Sequence, residues 1–198
     1  MAQIPTLIEK TERINKVPES ESSHPQRIEL LEQGWKFHSQ LENWYQELPR
    51  KVSEPLYCER TCSPFCPSPV SELGSVFPTS LHFKTFEIAR MHLFYWAALL
   101  LLYNNILTIS SSSPGDVHPT SSLILPLEKD VIRRQTLETA TMIAQSMEYL
   151  LSEEMHILGP QNVFFPLRTA MMCFQAQTGR RWSGVGECLR NSIGEGIH

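Results

Sequence analysis

The sequence predicts an all-α fold, an irregular multi-helix bundle around one fully buried helix at about residues 85–107. Three observations favour this class. The segment has no polar face between Leu93 and Tyr103, and a helix that is apolar on every side lies at the centre of a larger helical body or in a membrane. Its unbroken apolar run is eleven residues long, well below the roughly 18 to 20 that a bilayer requires. Other segments repeat apolar residues every three or four positions, and strand-like alternation never lasts more than a few residues.

Length and charge exclude several classes of function. The chain has 198 residues, of which 41% are hydrophobic, and this is enough for one domain that buries a core without a disulfide or metal. Its formal net charge is -4 and its Lys and Arg are scattered, so we expect no direct DNA binding by this chain. The N-terminus has no apolar signal core, which argues against secretion. The five cysteines are then expected to be reduced thiols of a cytosolic or nuclear protein.

The first half of the chain predicts one long helix between two irregular segments. Residues 1–26 are polar and predict a short helix or a loose lead-in to a single domain over 27–196. From Gln26 to Leu48, apolar residues fall in two rows spaced by three, four or seven positions, which predicts an amphipathic helix. Pro49 is expected to end this helix, because its ring cannot continue the hydrogen-bond ladder. Residues 49–80 contain six prolines, many serines and three cysteines, which predicts a long irregular loop.

After the central helix, a serine-rich stretch predicts a flexible loop over 109–122. The next apolar pattern predicts a helix over Leu127–Leu158. Gly159 followed by Pro160 is a stop signal for that helix, a left-handed cap followed by a residue that cannot extend the ladder.

Two shorter helices are expected near the C-terminus. Pro166 suits the first turn of a helix, which predicts one over Leu167–Gln177. A weaker helix is predicted over Arg180–Ile193, because each of its glycines costs about 1 kcal/mol relative to alanine.

Three cysteines are the weak candidates for a metal site. Cys58, Cys62 and Cys66 are spaced as two C-x3-C steps, whereas structural zinc sites usually have four ligands and often the tighter C-x2-C step. A fourth ligand would have to come from a distant part of the chain. Free loop cysteines are therefore the favoured interpretation, and no metal or cofactor is predicted.

Two arginines beside apolar segments are the other candidates. Arg90 and Arg168 are each expected to need a buried carboxylate or helix-end carbonyls. They either fix the register of two helices or form a clamp for an anionic effector inside the bundle. The sequence has no G-x-S-x-G, no H-E-x-x-H, no phosphate-binding loop and no dinucleotide fingerprint, so no enzyme is expected.

The order of four motifs resembles a known family. They are an L-x-x-W-x-x-x-L-P helix end, an A-R with an aromatic-Trp-A-x-L-L-L core, a G-P, and an F-P-L-R. Their marker residues are Trp44, Pro49, Ala89, Arg90, Trp96, Gly159, Pro160, Pro166 and Arg168. Together they resemble the C-terminal part of the fungal-specific regulatory domain of binuclear zinc-cluster transcription factors, over most of residues 27–196. The six-cysteine DNA-binding module of that family has no counterpart here, since residues 1–57 contain no cysteine.

The resemblance implies a helical regulatory and interaction domain without its own DNA-binding module. It implies a nuclear location, which the cytoplasm could share, and partners in the transcription machinery or a homo- or hetero-dimer mate, together with a small-molecule effector. The polar faces of the Gln26–Leu48 and Leu127–Leu158 helices are expected to contact partner subunits. Two alternatives stay open: a non-enzymatic helical module that binds a small molecule, and an enzyme whose site would appear as a deep pocket with clustered titratable groups.

Overall fold

A computed structural model describes residues 3–16, 23–51, 55–61, 77–111 and 129–178. Its elements are α1 (Ile4–Asn15), α2 (Ser23–Lys51), β1 (Tyr57–Thr61), β2 (Thr79–Phe83), α3 (Phe86–Ser111), α4 (Lys129–Gln145), α5 (Met147–Leu150), a 3-10 turn (Glu153–Met155) and α6 (Leu158–Thr178). Packed helices dominate, with one two-stranded antiparallel sheet, so the all-α class is confirmed. The helix predicted over Arg180–Ile193 lies outside the described residues.

The predicted central helix is confirmed as α3. Helices α1, α2, α4 and α6 all pack against it, and between His92 and Tyr103 only Phe94 and Leu101 are not fully buried. By length and composition, α3 is also the one helix among the described residues that could span a membrane, but 67% of its most apolar window is buried by the rest of the chain. That burial is the environment of a core helix. Helix α3 continues to Ser111 and Ile109 is buried, so the first three residues of the predicted 109–122 loop are helical. Residues 112–122 lie outside the described residues.

Helix α1 belongs to the helical body rather than leading into it. Ile4 and Leu7 are buried in the core. Thr11 donates its hydroxyl to the Leu7 carbonyl at 3.0 Å, and its Oγ1 lies 3.2 Å from Oδ1 of Asn105 on α3. The segment 1–26 therefore supplies a core helix, because three buried positions spaced by three and four residues suffice to dock twelve residues.

Two predictions about the segment after α2 are wrong. Pro49 does not end α2, which continues two residues further to Lys51; the proline costs one ladder bond, to the Tyr45 carbonyl, at the very end of a 29-residue helix. The predicted irregular loop 49–80 contains all of β1 and the first two residues of β2. The strands form because Leu81 and Phe83, at alternate positions of β2, are buried in the core. Their partners on β1 are Glu59 and Tyr57. Five-residue strands are too short for their alternation to stand out in the sequence.

The helix predicted over Leu127–Leu158 is broken in the structure. Helix α4 ends at Gln145 and the chain turns through α5 and the 3-10 turn. Ser146 donates its hydroxyl to the Met142 carbonyl at 2.8 Å, a local bond that competes with the helix ladder. His156 then takes a φ of 45°, which no helix can include.

Gly159 and Pro160 begin a helix rather than stopping one. They lie in the first turn of α6, where a proline needs no hydrogen-bonded N–H. A side chain on Gly159 would collide with the Leu150 carbonyl, so glycine is required by the close approach of two backbone segments. Pro166 is not in a first turn either, since it lies inside α6. The run of apolar neighbours that packs α6 onto α3 and α4 outweighs the missing backbone bond.

Candidate functional site

The structure does not bring the two predicted arginines into the bundle. Arg90 on α3 and Arg168 on α6 are both exposed, so the predicted buried pairing and the predicted internal anion clamp are wrong. Each arginine occupies the one outward position between buried neighbours, such as Ala89 and Leu167, and apolar neighbours in the sequence do not imply burial on a helix. Arginine at such a position needs no buried partner.

The other family-motif residues divide into buried and exposed groups. Ala89 and Trp96 are buried on α3, whereas Trp44 on α2 is 40% exposed. Trp44 lines a small groove of about 320 Å³ with Ile4 and Phe37, between α1 and α2. The other polar side chains that line that groove are the uncharged amides of Gln3 and Gln40, so it offers apolar contact and hydrogen bonds but no charge.

The cysteine candidates are only partly described. Cys58 is exposed on β1, whereas Cys62 and Cys66 lie outside the described residues. Within the described ranges, no three His, Cys, Asp or Glu residues are grouped as metal ligands. Cys173 is buried, and Asn104 donates an N–H to its Sγ at 3.1 Å. Burial raises the pKa of this thiol, so Cys173 packs as a small, inert hydrophobe.

A wide cleft lies between the two-stranded sheet and the segment that follows α4. We call it the β cleft; its volume is about 780 Å³. It is lined by Pro55, Tyr57, Cys58, Arg60, His82, Phe83, Lys84, Tyr149, Ser152, Glu153, Glu154 and Met155. The sheet builds one wall, and α5 with the 3-10 turn builds the other.

The register of the sheet aligns the polar residues of the first wall. Cys58 lies directly opposite His82, and Arg60 lies opposite Ser80. Since alternate residues of a strand share a face, Cys58, Arg60 and His82 project to one side of the sheet. No hydrogen bond joins Cys58 to His82 in this part of the structure, so the pair is not an assembled nucleophile and base.

Aromatic rings connect the two walls of the β cleft. The ring of Tyr149 on α5 meets His82 edge to face with centroids 5.9 Å apart, and it meets Phe83 at 5.5 Å. Tyr57 contacts Phe83 at 5.9 Å. Packing of this kind stabilises the walls; Phe83 is buried, whereas Tyr57 and Tyr149 keep part of their rings exposed.

Charges of both signs act on the cleft. The pKa of His82 is lowered, first by burial and then by Arg60, while Glu148 and Glu154 oppose the shift. The pKa of Tyr149 is raised by burial, with Glu154 next. Both rings therefore stay in their neutral forms near pH 7, between a cation on the sheet and carboxylates on the opposite wall.

A buried histidine lies beneath the sheet. His92 on α3 is fully buried, and its ring contacts the rings of Tyr45, Tyr57, Phe83 and Trp96 at centroid distances of 5.2 to 5.5 Å. Its Nδ1 lies 2.8 Å from the Ile88 carbonyl, so Nδ1 carries the proton and donates it. Burial lowers the pKa of His92. Its Nε2 has no hydrogen-bond partner among the described residues.

A polar seam joins α2 to α3. Tyr95 donates its hydroxyl to Glu42 at 2.7 Å, and the His38 ring lies 3.0 Å from the Tyr103 hydroxyl. Tyr45 stacks on Tyr95 with ring centroids 4.2 Å apart. Burial raises the pKa of Tyr103 to about 12, with help from Glu42. Sequence reasoning missed this seam. Its signal was the spacing of His38, Glu42 and Tyr45, which places the three polar side chains on one face of α2.

The outer side of α6 exposes large apolar residues. We call it the α6 face, made of Leu158, Phe164, Phe165 and Met172, which are 48% to 58% exposed. Phe165 also contacts Phe94 of α3 at 6.4 Å. Arg168 is the only charged residue of α6, which is unusual for a solvated helix face.

No protein-family profile, curated protein or solved structure matches this chain. The resemblance to the fungal regulatory domain therefore stays a prediction.

Proposed function

We propose that this chain is a non-enzymatic helical regulatory and interaction domain of the fungal transcription-factor type, without a DNA-binding module of its own. The α6 face is the observation that carries the proposal, because exposed apolar patches of this kind mark protein interaction sites. The order of the four sequence motifs and the absence of a basic stripe support it. A location in the nucleus, which the cytoplasm could share, belongs to the same proposal.

The spacing of the α6 face favours a second copy of this chain as the partner. Leu158, Phe165 and Met172 are seven residues apart, so they line up along one side of the helix, as in paired helices. In an antiparallel pair of α6 helices centred on Phe165, each Leu158 meets the Met172 of the other copy. Each Arg168 then faces a Gln161, whose amide oxygen can accept its hydrogen bonds. The face is self-complementary and brings no two like charges together.

The size of the face predicts a weak dimer. Large side chains bury up to about 150–250 Å² each, so four that are half exposed leave roughly 400 Å² per copy to cover. A standard interface buries roughly 800 Å² per partner. We therefore expect a dimer that dissociates on dilution, which suits a regulated assembly.

Sedimentation velocity over a wide concentration range tests this proposal. The wild-type chain should shift from monomer to dimer as concentration rises, and Phe165→Glu should remain monomeric. Leu137→Glu is the matched control, since Leu137 is an exposed apolar residue on α4 outside the α6 face. A wild type that is monomeric throughout, or an equal loss of dimer in the control, would contradict the proposal.

A tethering assay tests the regulatory part. The chain fused to an unrelated DNA-binding domain in a fungal host should change reporter output, and Phe165→Glu should reduce that change. The chain alone should not retard random duplex DNA at physiological salt. Unchanged reporter output from a fusion that is present in the nucleus would contradict a transcriptional role.

Binding of a small-molecule effector is the second candidate function, and the β cleft favours it. Its volume of about 780 Å³ lies within the range of small-molecule sites. Its lining combines apolar rings with charges of both signs, as such sites usually do. Thermal-shift measurement tests this candidate, because a ligand that binds only the folded chain raises the melting temperature.

A further inference from the structure

We infer that the β cleft binds an aromatic zwitterion, a small molecule with a flat apolar body, a carboxylate and a protonated amine. Aromatic amino acids are the simplest members of this class. The inference deepens the second candidate function, on which it rests, and does not depend on the α6 dimer. The walls of the cleft, the sign and position of its charges, and its volume support the inference.

The apolar part of the ligand follows from the cleft walls. Tyr57, Phe83 and Tyr149 all line the cleft. Phe83 is buried, whereas Tyr57 and Tyr149 keep part of their rings exposed. A flat ring that lies in the open part of the cleft can contact the exposed part of Tyr149 or Tyr57, stacked or edge to face. A branched aliphatic body would gain burial but not these oriented ring contacts.

The two charged ends of the ligand follow from the opposite walls. Two cations, Arg60 on β1 and Lys84 directly after β2, lie on the sheet side of the cleft. Glu153 and Glu154 lie on the 3-10 turn. Arg60 and Glu154 shift the pKa of His82 in opposite directions, so both are within electrostatic reach of one ring that lines the cleft. A guanidinium matches a carboxylate through two parallel hydrogen bonds, and the glutamates match an ammonium.

The same charges disfavour the neighbouring classes of ligand. A carboxylate without an amine would meet Arg60 but leave its other end beside Glu153 and Glu154. An amine without a carboxylate would leave Arg60 without a ligand contact. Specificity therefore comes from repulsion and unmatched charge as well as from attraction.

Three related compounds test the inference by calorimetry on the full chain: L-tryptophan, tryptamine, which lacks the carboxylate, and indole-3-propionate, which lacks the amine. L-tryptophan should bind at least about tenfold more tightly than either analogue, since each loses a charge-assisted contact. Equal binding of all three compounds, or tighter binding of the propionate, would overturn the zwitterion assignment. Absence of any heat with L-tryptophan at millimolar concentration would overturn the inference as a whole.

Two variants assign the charged contacts. Arg60→Gln should weaken L-tryptophan about tenfold and leave tryptamine unchanged. The double variant Glu153→Gln with Glu154→Gln should weaken L-tryptophan and tryptamine but not indole-3-propionate. Arg13→Gln on α1 is the matched control and should change nothing, since Arg13 is an exposed arginine outside the cleft. Melting temperatures equal to wild type show that the variants are folded.

Alkylation of Cys58 locates the bound ligand. Cys58 is exposed and lines the cleft, so L-tryptophan should slow its reaction with iodoacetamide, followed peptide by peptide by mass spectrometry. Cys173 is buried away from the cleft and serves as the internal reference. Binding without protection of Cys58 would place the ligand elsewhere and overturn the inference. Loss of the ligand effect with an intact dimer would leave the proposed interaction function standing.

Discussion

Helices α3 and α6 have similar compositions but different surroundings. Helix α3 contains two charged residues in 26 positions, and α6 contains one in 21. The described part of the chain covers α3 with helices α1, α2, α4 and α6, whereas α6 packs chiefly on α3 and α4. One apolar helix is therefore enclosed and the other keeps an open side, the α6 face. A lack of charge indicates that a helix face needs a partner, but it does not tell whether that partner is the same chain.

Matched leucine substitutions give the largest expected difference between these helices. Leu100→Ala on α3 removes a side chain with no exposed area, so it should lower the free energy of unfolding by about 2–5 kcal/mol through lost burial and a cavity. Leu158→Ala on α6 removes a side chain that is 54% exposed, and it should cost less than about 1 kcal/mol. Urea denaturation of both variants measures the two values.

The difference in stability between the two alanine variants depends on the α6 face being open in the monomer. If the two alanine variants lost similar stability below the concentration at which the chain associates, the α6 face would be covered in the isolated chain. A larger loss for Leu158→Ala that grew with protein concentration would instead sharpen the contrast, because dimer formation adds to apparent stability.

Two glycine variants test the packing at the start of α6. Gly159→Ala puts a Cβ against the Leu150 carbonyl, so it should lower the free energy of unfolding by about 1–3 kcal/mol. Gly34→Ala on α2 is the control: its Cβ would lie 3.2 Å from the Ile106 side chain. A gain of about 1 kcal/mol in helix propensity should offset that tight contact. Comparable stability of the two variants in thermal unfolding would show that the backbone between α5 and α6 shifts to accommodate the added Cβ.

The enclosed helix could be predicted from the sequence, and the breaks around the open helix could not. The apolar run from Leu93 to Tyr103 has no polar face, so a central buried helix was the one solution available. Gly159 and Pro160 fit a helix end and a first turn equally well. Tertiary contact with Leu150, which the sequence does not display, decides between them.

The candidate sites were harder to predict than the fold, for the same reason. The β cleft combines strand residues such as Cys58 and His82 with Tyr149 and Glu154, which lie more than sixty positions away. Its sheet occupies part of the proline-rich stretch that predicts a loop, because β pairing depends on contacts distant in sequence. Arg90 lies beside an apolar run in the sequence but is exposed, because a helix presents adjacent positions to different sides.

Acid should weaken the enclosed side of the molecule. Burial lowers the pKa of His92 below its usual 6.5, so the unfolded chain binds the proton more readily. Stability from this group is therefore complete above about pH 6.5 and falls as pH drops from there towards the folded-state pKa. His38 and His82 shift the same way, so the melting temperature should fall between pH 7.5 and 5.

The slope of that fall separates His92 from other groups. His92→Phe keeps an aromatic ring in the cage but cannot titrate, so its melting temperature should depend less steeply on pH than that of wild type. An unchanged slope for His92→Phe would show that His92 titrates freely in the folded chain.

The smallest expected effects belong to the two exposed arginines. Arg90→Gln on enclosed α3 and Arg168→Gln on open α6 should each change the free energy of unfolding by no more than about 0.5 kcal/mol, because neither side chain is buried. A buried, paired arginine would instead lose about 3–5 kcal/mol, so urea denaturation distinguishes the two situations. The arginines should differ in association alone: Arg168→Gln weakens the dimer, since it removes the charge that faces Gln161, and Arg90→Gln does not. Equal dimer constants for the two variants would place the contact between copies away from the α6 face.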